Sequence, residues 1–293
     1  MQKRNGNPLE WTVKSIGIAL FLFVGGIYVI YKFWPSPQYH IHPHHLMSWK
    51  HKDFISIPNS ILESAKTIKP ELKQAKYELE SDQHITLHYR MVEPSEKQQR
   101  QPIDILFLHG NAFNSEDWVN LNSLQIMAAS GYRCFAIDLI GGKKSDSTSS
   151  KQLISSEDRV KFLTDVIKRL NIKRPLIVSP SMSGSYSIPY IMEPSPTTCT
   201  DRISGFLPVA PVATDNYLPS KYHRCKTPNM IVYGAKDTGL GLEATGNLRN
   251  MPNTEIIPIL GAKHACYMDN PKLFHKLLYN FAEAVVREEQ LGD

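Results

Sequence analysis

Six stretches between residues 102 and 264 are apolar at successive positions: PIDILFLHG, RCFAIDL, RPLIVSPS, GFLPVAPV, NMIVYGAKD and EIIPILGAKH. A strand with one face in water alternates apolar and polar residues, so strands apolar throughout must be covered on both faces. The covering layers are legible between them. Val160, Leu163, Ile167 and Leu170 share one face of a helix predicted over residues 157–170, since positions three and four apart are neighbours on a helix. Phe274, Leu277, Leu278, Phe281, Ala282 and Val285 do the same over residues 271–288, and another helix is predicted over 116–130. Buried strands alternating with helices give an α/β fold, a mostly parallel central sheet with helices on both faces. Ahead of them, a short helix is predicted near 60–69, and AKYELES and HITLHYRMV flank Asp82-Gln83 as a hairpin. The body reads as one domain over residues 70–293, without internal repeats.

In such a sheet, functional groups collect beyond the carboxyl ends of the strands. RPLIV runs into Ser179-Pro180-Ser181-Met182-Ser183-Gly184, a small-x-Ser-x-small sequence between a strand and a helix. A serine on a sharp strand-to-helix turn needs small residues two before and two after it, so that strand and helix can approach. Ser181 is that serine, three residues past Val178, the last buried strand residue. Ser183 fits a second frame but lies too far along. A serine hydroxyl is a weak nucleophile until a base takes its proton, and the base needs an acid to orient it. Asp237 closes NMIVYGAKD and His264 closes EIIPILGAKH, each just past a strand, and the chain order Ser, Asp, His is the one this layout uses. Asp215, after GFLPVAPV, is a rival acid; His109 is a rival base better suited to supporting its loop.

Negative charge developing on a carbonyl oxygen needs N–H donors aimed at it. Met182, after the serine, offers one backbone N–H. The other is assigned to Asn111, with Ala112 in reserve, in the loop where Gly110 permits a sharp turn. From Val212 to Pro228 there are only about 15 residues, too few for a helical cap domain. The site should therefore be open and shallow, suited to a small acyl group on an exposed or bulky partner. Pro189, about seven residues into the helix after Ser181, should kink or end it, because it lacks the N–H for an i→i−4 bond. Cys266 reads as a small packing residue.

Charge separates the first fifty residues from the rest. The chain carries 33 Lys and Arg against 28 Asp and Glu, a net of +5. Five bases and one acid in residues 1–50 account for +4, leaving 28 bases and 27 acids elsewhere. That body has no basic excess of the kind a nucleic-acid-binding domain needs. Ile16 to Tyr31 are sixteen residues without a charge; helix over 15–34 would be about 30 Å long, enough to cross a bilayer core. A cleaved signal peptide is the competing reading, but YKFWPSPQYH is a poor cleavage site. Lys3, Arg4 and Lys14 before the segment outnumber Lys32 after it, which predicts a single-pass type II membrane protein with its body lumenal or extracellular. Residues 1–14 then form a cytoplasmic tail, 15–34 a transmembrane signal anchor and 35–69 a His/Pro-rich juxtamembrane linker. The linker holds five of the eleven histidines in YHIHPHHLMSWKH, with no Cys or carboxylate at ligand spacing, so it reads as a linker and not a metal site. Four cysteines, Cys134, Cys199, Cys225 and Cys266, in a chain this long exclude a disulfide scaffold, and none falls in a CxxC, which argues against a zinc ribbon or a thioredoxin-type site; whether Cys199 and Cys225 pair stays open. No cofactor is expected.

In order, LFLHG, AIDL, VSPSMSG, GAKD and GAKH resemble the α/β-hydrolase superfamily over about residues 75–288. The elbow with Pro180 at its centre, FLPVAPVATD, KTPNMIVYGAKD and GAKHACYMDNP are similar to the alpha/beta-hydrolase domain-containing protein 14 family. The N-terminal apolar segment makes the chain more similar to that family's single-pass member than to its soluble one. Ile140-Gly141-Gly142-Lys143-Lys144-Ser145 departs from the Pro-Gly or Arg-Gly pair common in the superfamily. The resemblance implies a serine hydrolase acting on a small acyl ester, thioester or amide, or on an acylated protein or peptide. The alternatives are an acyltransferase passing the acyl group to a thiol or amine, and a non-catalytic binding protein on a hydrolase fold.

Overall fold

The computed structural model describes residues 54–79, 83–94, 98–193 and 198–292. The predicted membrane segment over 15–34 and the His-rich stretch lie outside the described residues. Among the described residues, no helix is long and apolar enough to cross a membrane.

Nine described strands form one sheet: β1 (Glu71–Leu79), β2 (Gln83–Val92), β3 (Asp104–Phe107), β4 (Arg133–Ile137), β5 (Thr148–Ser149), β6 (Leu176–Pro180), β7 (Gly205–Val209), β8 (Asn229–Gly234) and β9 (Thr254–Ile259). Their order is β1-β2-β4-β3-β6-β7-β8-β9, with β5 beside β2. Every pair from β4 through β3 to β9 is parallel, and only the β2 pairings are antiparallel. The parallel half is the half read as apolar throughout: β3, β6 and β7 are buried at every position.

Successive side chains on a strand face opposite ways, and β3 sorts them into two cores. Ile105 and Phe107 join Trp118, Phe274 and Phe281 on one face, while Leu106 joins Phe135, Phe162 and Tyr186 on the other. Fully buried rings such as Phe107 and Phe162 each contribute about 2–3 kcal/mol of transfer free energy. The helices that bring the partners are α1 (Asn59–Ala65), α2 (Ser115–Asn120), α3 (Ser123–Ala129), α4 (Ser156–Arg169), α5 (Gly184–Met192), α6 (Cys199–Arg202), α7 (Pro219–Tyr222), α8 (Leu240–Leu248), α9 (Cys266–Asp269) and α10 (Pro271–Gly292).

Several expectations change. The single helix over 116–130 is two, α2 and α3, because Asn122 turns the chain in the left-handed region at φ 63°, which Asn tolerates better than most residues. Residues 54–69, placed in the linker from sequence, pack on the body: Ile61 and Ala65 of α1 are buried, and Asn280 of α10 accepts from Ile55 N–H at 2.9 Å and donates to its carbonyl at 2.8 Å. Pro189 does not end α5, which continues to Met192. The polar loop after β4 contains the two-residue strand β5. Cys199 and Cys225 are joined as a disulfide, with Cα atoms 5.5 Å apart. Between β7 and β8 the chain makes only a 3-10 turn, Thr214–Asn216, and the four-residue α7.

Candidate active site

Strand β6 delivers Ser181 into a 3-10 turn, Ser181–Ser183, that leads directly into α5. Ser181 has φ 51°, a left-handed conformation that a non-glycine residue adopts only when its surroundings impose it. They do so through close approach. A Cβ on Gly184 would collide with the Val212 carbonyl oxygen, so α5 can lie against the loop after β7 only with glycine there. Val212 N–H in turn donates to the Ser181 carbonyl at 3.0 Å. A Cβ on Gly110 would stand 3.5 Å from Ser181 Cβ, which brings the loop after β3 to the same point.

Ser181, His264 and Asp237 form one hydrogen-bonded line. His264 Nε2 is 2.8 Å from Ser181 Oγ, and His264 Nδ1 is 2.6 Å from Asp237 Oδ2. An ionised carboxylate can only accept, so Nδ1 carries the ring proton and Nε2 presents its lone pair to the Ser181 hydroxyl. The Asp237 side chain is 9% exposed and the His264 side chain 39%, so the carboxylate is shielded while the imidazole is accessible to solvent. Lys236 N–H donates to Ala262 O at 2.9 Å, tying the Asp237 loop to the His264 loop. Gly234 is required for this: a Cβ there would strike the carbonyl oxygens of Ala262 and Lys263.

The other sequence candidates fall elsewhere. Asp215 is exposed on the turn after β7, and the carboxylate hydrogen-bonded to the His264 imidazole is that of Asp237. His109 is buried with both ring nitrogens engaged: Nδ1 donates to Gly110 O at 2.9 Å and Nε2 accepts from Leu139 N–H at 2.8 Å. Burial lowers its pKa, so it is a neutral brace for its loop. Ser183 is fully buried. Cys266 is buried as well, and burial pushes its thiol up to about 12, which keeps it protonated. Asn111 adjoins the Gly110 contact with Ser181, and its carbonyl accepts from Lys143 N–H at 2.9 Å. No described group accepts from the N–H of Asn111 or of Ala112. Met182 follows Ser181 in the turn, half-buried. Among the described residues, no three His, Cys, Asp or Glu side chains are grouped to hold a metal.

Sequence reasoning missed the struts. Asp138, fully buried after β4, accepts from Ser115 N–H at 2.7 Å and from Asp146 N–H at 3.1 Å, joining the loops after β3 and β4. Trp118 of α2 donates to Leu108 O at 2.8 Å and stacks on Tyr267 of α9 at 4.8 Å, linking the Asn111 side of the site to the His264 side. The AIDL stretch signals Asp138, since a carboxylate directly after a buried strand needs donors; nothing local signals Trp118.

No protein-family model matches the chain. It is 39% identical to zebrafish (Danio rerio) Protein ABHD14A over 199 residues, which cover 67% of this chain and 71% of the relative. It is 36% identical over 199 residues to the human protein called "Putative protein-lysine deacylase ABHD14B", covering 68% of this chain and 91% of the relative. Among solved structures, carboxylesterase CesB of Bacillus subtilis has a TM-score of 0.59 at 14% identity, covering 76% of this chain and 96% of that one. A protein of Thermoplasma acidophilum described as a "predicted CIB-like hydrolase" has a TM-score of 0.61 at 19% identity, covering 73% and 99%. At such identities the structural likeness speaks to the fold alone.

Proposed function

Because the chain belongs to the ABHD14 family of α/β hydrolases, we propose that it is a serine hydrolase that removes a small acyl group through a Ser181–His264–Asp237 triad. The observation that carries the reading is the continuous line from Ser181 Oγ to Asp237 Oδ2, with the nucleophile held at positive φ. His264 Nε2 takes the Ser181 proton as Oγ attacks the acyl carbonyl, and Asp237 stabilises the imidazolium that forms. The N–H groups of Met182 and Asn111 receive the oxyanion. His264 then returns the proton to the departing alcohol, thiol or amine, leaving an acyl-Ser181 ester. Water, deprotonated by the same nitrogen, releases the acid. The short β7–β8 connection leaves the mouth uncapped, which favours an acyl group displayed on a protein or peptide. The name of the human relative points the same way.

The test is labelling of the intact protein with a fluorophosphonate probe, followed by acyl-peptide hydrolysis. Wild type is modified at Ser181 and Ser181→Ala is not, with activity down by about 10³-fold or more. Equal labelling of the two proteins would contradict the assignment.

The same reading carries the N-terminal anchor with the body on the lumenal or extracellular side. The Cys199–Cys225 disulfide supports it, since such bonds persist in oxidising compartments. Protease added to sealed membranes leaves the body intact until detergent is present; digestion without detergent would reverse the orientation.

A further inference from the structure

Small residues around an elbow serine ordinarily serve by lacking bulk. Here they are serines, and their hydroxyls are engaged. Ser179, Ser183 and Ser187 follow one another at i, i+4 and i+8 from the end of β6 into α5, and all three are fully buried. Ser179 Oγ lies 2.9 Å from Ser183 Oγ and 2.6 Å from Ser187 Oγ, and Ser183 Oγ lies 2.7 Å from the Pro180 carbonyl oxygen.

Proton counting gives this chain a direction. Each hydroxyl has one proton and can accept besides. The Ser183 proton goes to Pro180 O, because two oxygens at that distance with no proton between them repel. Ser183 can then only accept from Ser179, which uses the Ser179 proton. Ser187 must therefore donate to Ser179. The sequence of donors runs Ser187, Ser179, Ser183 and ends on the Pro180 carbonyl.

That carbonyl belongs to the peptide carrying the nitrogen of Ser181. The peptide on the other side of Ser181 is held by Val212 N–H on the Ser181 carbonyl. Both planes that flank the strained residue are thus gripped, one by a backbone donor and one by the hydroxyl chain. We propose that Ser179, Ser183 and Ser187 are positioning residues, a one-way hydroxyl chain that clamps the Pro180–Ser181 peptide and keeps Ser181 Oγ in line with His264 Nε2. Glycine at 179 and 183 would let strand and helix approach equally well but would leave the Pro180 carbonyl without this donor. In a dry interior each bond polarises the next, so Ser187 acts on the clamp without touching Pro180.

The inference rests on Ser181 being the nucleophile, and its test separates the two ideas. The full chain and its Ser183→Ala, Ser179→Ala, Ser187→Ala and Ser183→Ala/Ser187→Ala variants are compared for kcat and KM on a small acetyl ester, for fluorophosphonate labelling and for melting temperature. The clamp predicts kcat down about tenfold in Ser183→Ala and about threefold in Ser187→Ala, with KM unchanged and the double variant no slower than Ser183→Ala alone. Ser183→Cys, of similar size with a weaker donor, falls between Ser183→Ala and wild type. Losses in the double variant that multiply in full, or melting temperatures that fall while kcat holds, overturn the clamp and leave the hydrolase reading standing. A wild type that takes no label overturns both. Should Ser183→Ala not fold, Ser187→Ala, one turn further from the nucleophile, decides by the same kcat-against-KM split.

Discussion

The serine arm of the site and its Asp–His arm are held in place by different means. Asp237 and His264 follow β8 and β9, neighbouring parallel strands, and backbone bonds of that pair continue past the strand ends: Ala235 N–H to Ile259 O at 3.0 Å, Lys236 N–H to Ala262 O at 2.9 Å. Their separation therefore follows from strand spacing, about 4.8 Å in any paired sheet. Past the paired strands β6 and β7, Ser181 keeps a single backbone bond of this kind, Val212 N–H to its carbonyl at 3.0 Å, and that bond does not set its side chain. Beyond that bond it depends on particular side chains and on glycine at 184, where α5 meets Val212. An arm built from backbone pairing tolerates side-chain change except where no Cβ fits; an arm built from contacts is sensitive at each of them.

The sharpest way to break this comparison is to swap the acid. Asp237→Asn should lower kcat by about 10³–10⁴-fold, because the amide can hold the wrong imidazole tautomer. Asp215→Asn, exposed on a separate loop, should change it less than about twofold. Steady-state kinetics on one ester settles the order, and a larger loss from Asp215→Asn would mean that the strand pair does not define the arm. Next in size are two glycines, one in each arm, where a Cβ would strike backbone. Gly184→Ala and Gly234→Ala should each destabilise the fold by about 3 kcal/mol, read from urea midpoints. A variant that stays within about 0.5 kcal/mol of wild type shows that its arm is not held by that approach.

The smallest effect lies outside both arms and serves as their control. His275 of α10 is buried beside Ser123, 2.9 Å from its hydroxyl, and burial lowers its pKa to about 4. An unfolded chain holds a histidine near about 6.5, so below that pH it takes up the proton before the folded state does. Stability linked to neutral His275 is complete above about 6.5 and is lost as pH falls toward 4, about 2 kcal/mol of it between pH 7 and 5. His275→Gln should flatten that acid slope in thermal melts while kcat per folded molecule stays unchanged. A slope as steep as that of wild type would assign the acid sensitivity elsewhere.

What is legible in the amino-acid sequence follows the same division. The positions of Ser181, Asp237 and His264 were legible because unbroken apolar runs mark the strands, and each residue is indexed by the end of its run. The break at Asn122 was not, since helical periodicity runs across it and one left-handed residue leaves no trace in the pattern. Packing of residues 54–69 depends on Asn280, far away in sequence, so composition misassigned that stretch to the linker. The serine chain was half visible. Ser179 and Ser183 were legible as the small residues flanking Ser181, and adding Ser187 makes an i, i+4, i+8 series whose meaning depends on all three being buried. Trp118 reaches Leu108 and Tyr267 through tertiary contacts that no local signal encodes.

One covalent feature gives the parallel half an unusual connectivity. The disulfide between Cys199 and Cys225 closes a ring that contains all of β7, the strand between the elbow strand and the acid-bearing strand. Its sequence separation of 26 residues corresponds to roughly 3.5 kcal/mol of lost chain entropy in the unfolded state. The ring also changes what a single cut can do. The loop at Leu218 is exposed and lies inside it, so cleavage there would leave the elbow half and the Asp–His half joined through sulfur. The two arms of the site remain one molecule after a cut that would divide a linear chain.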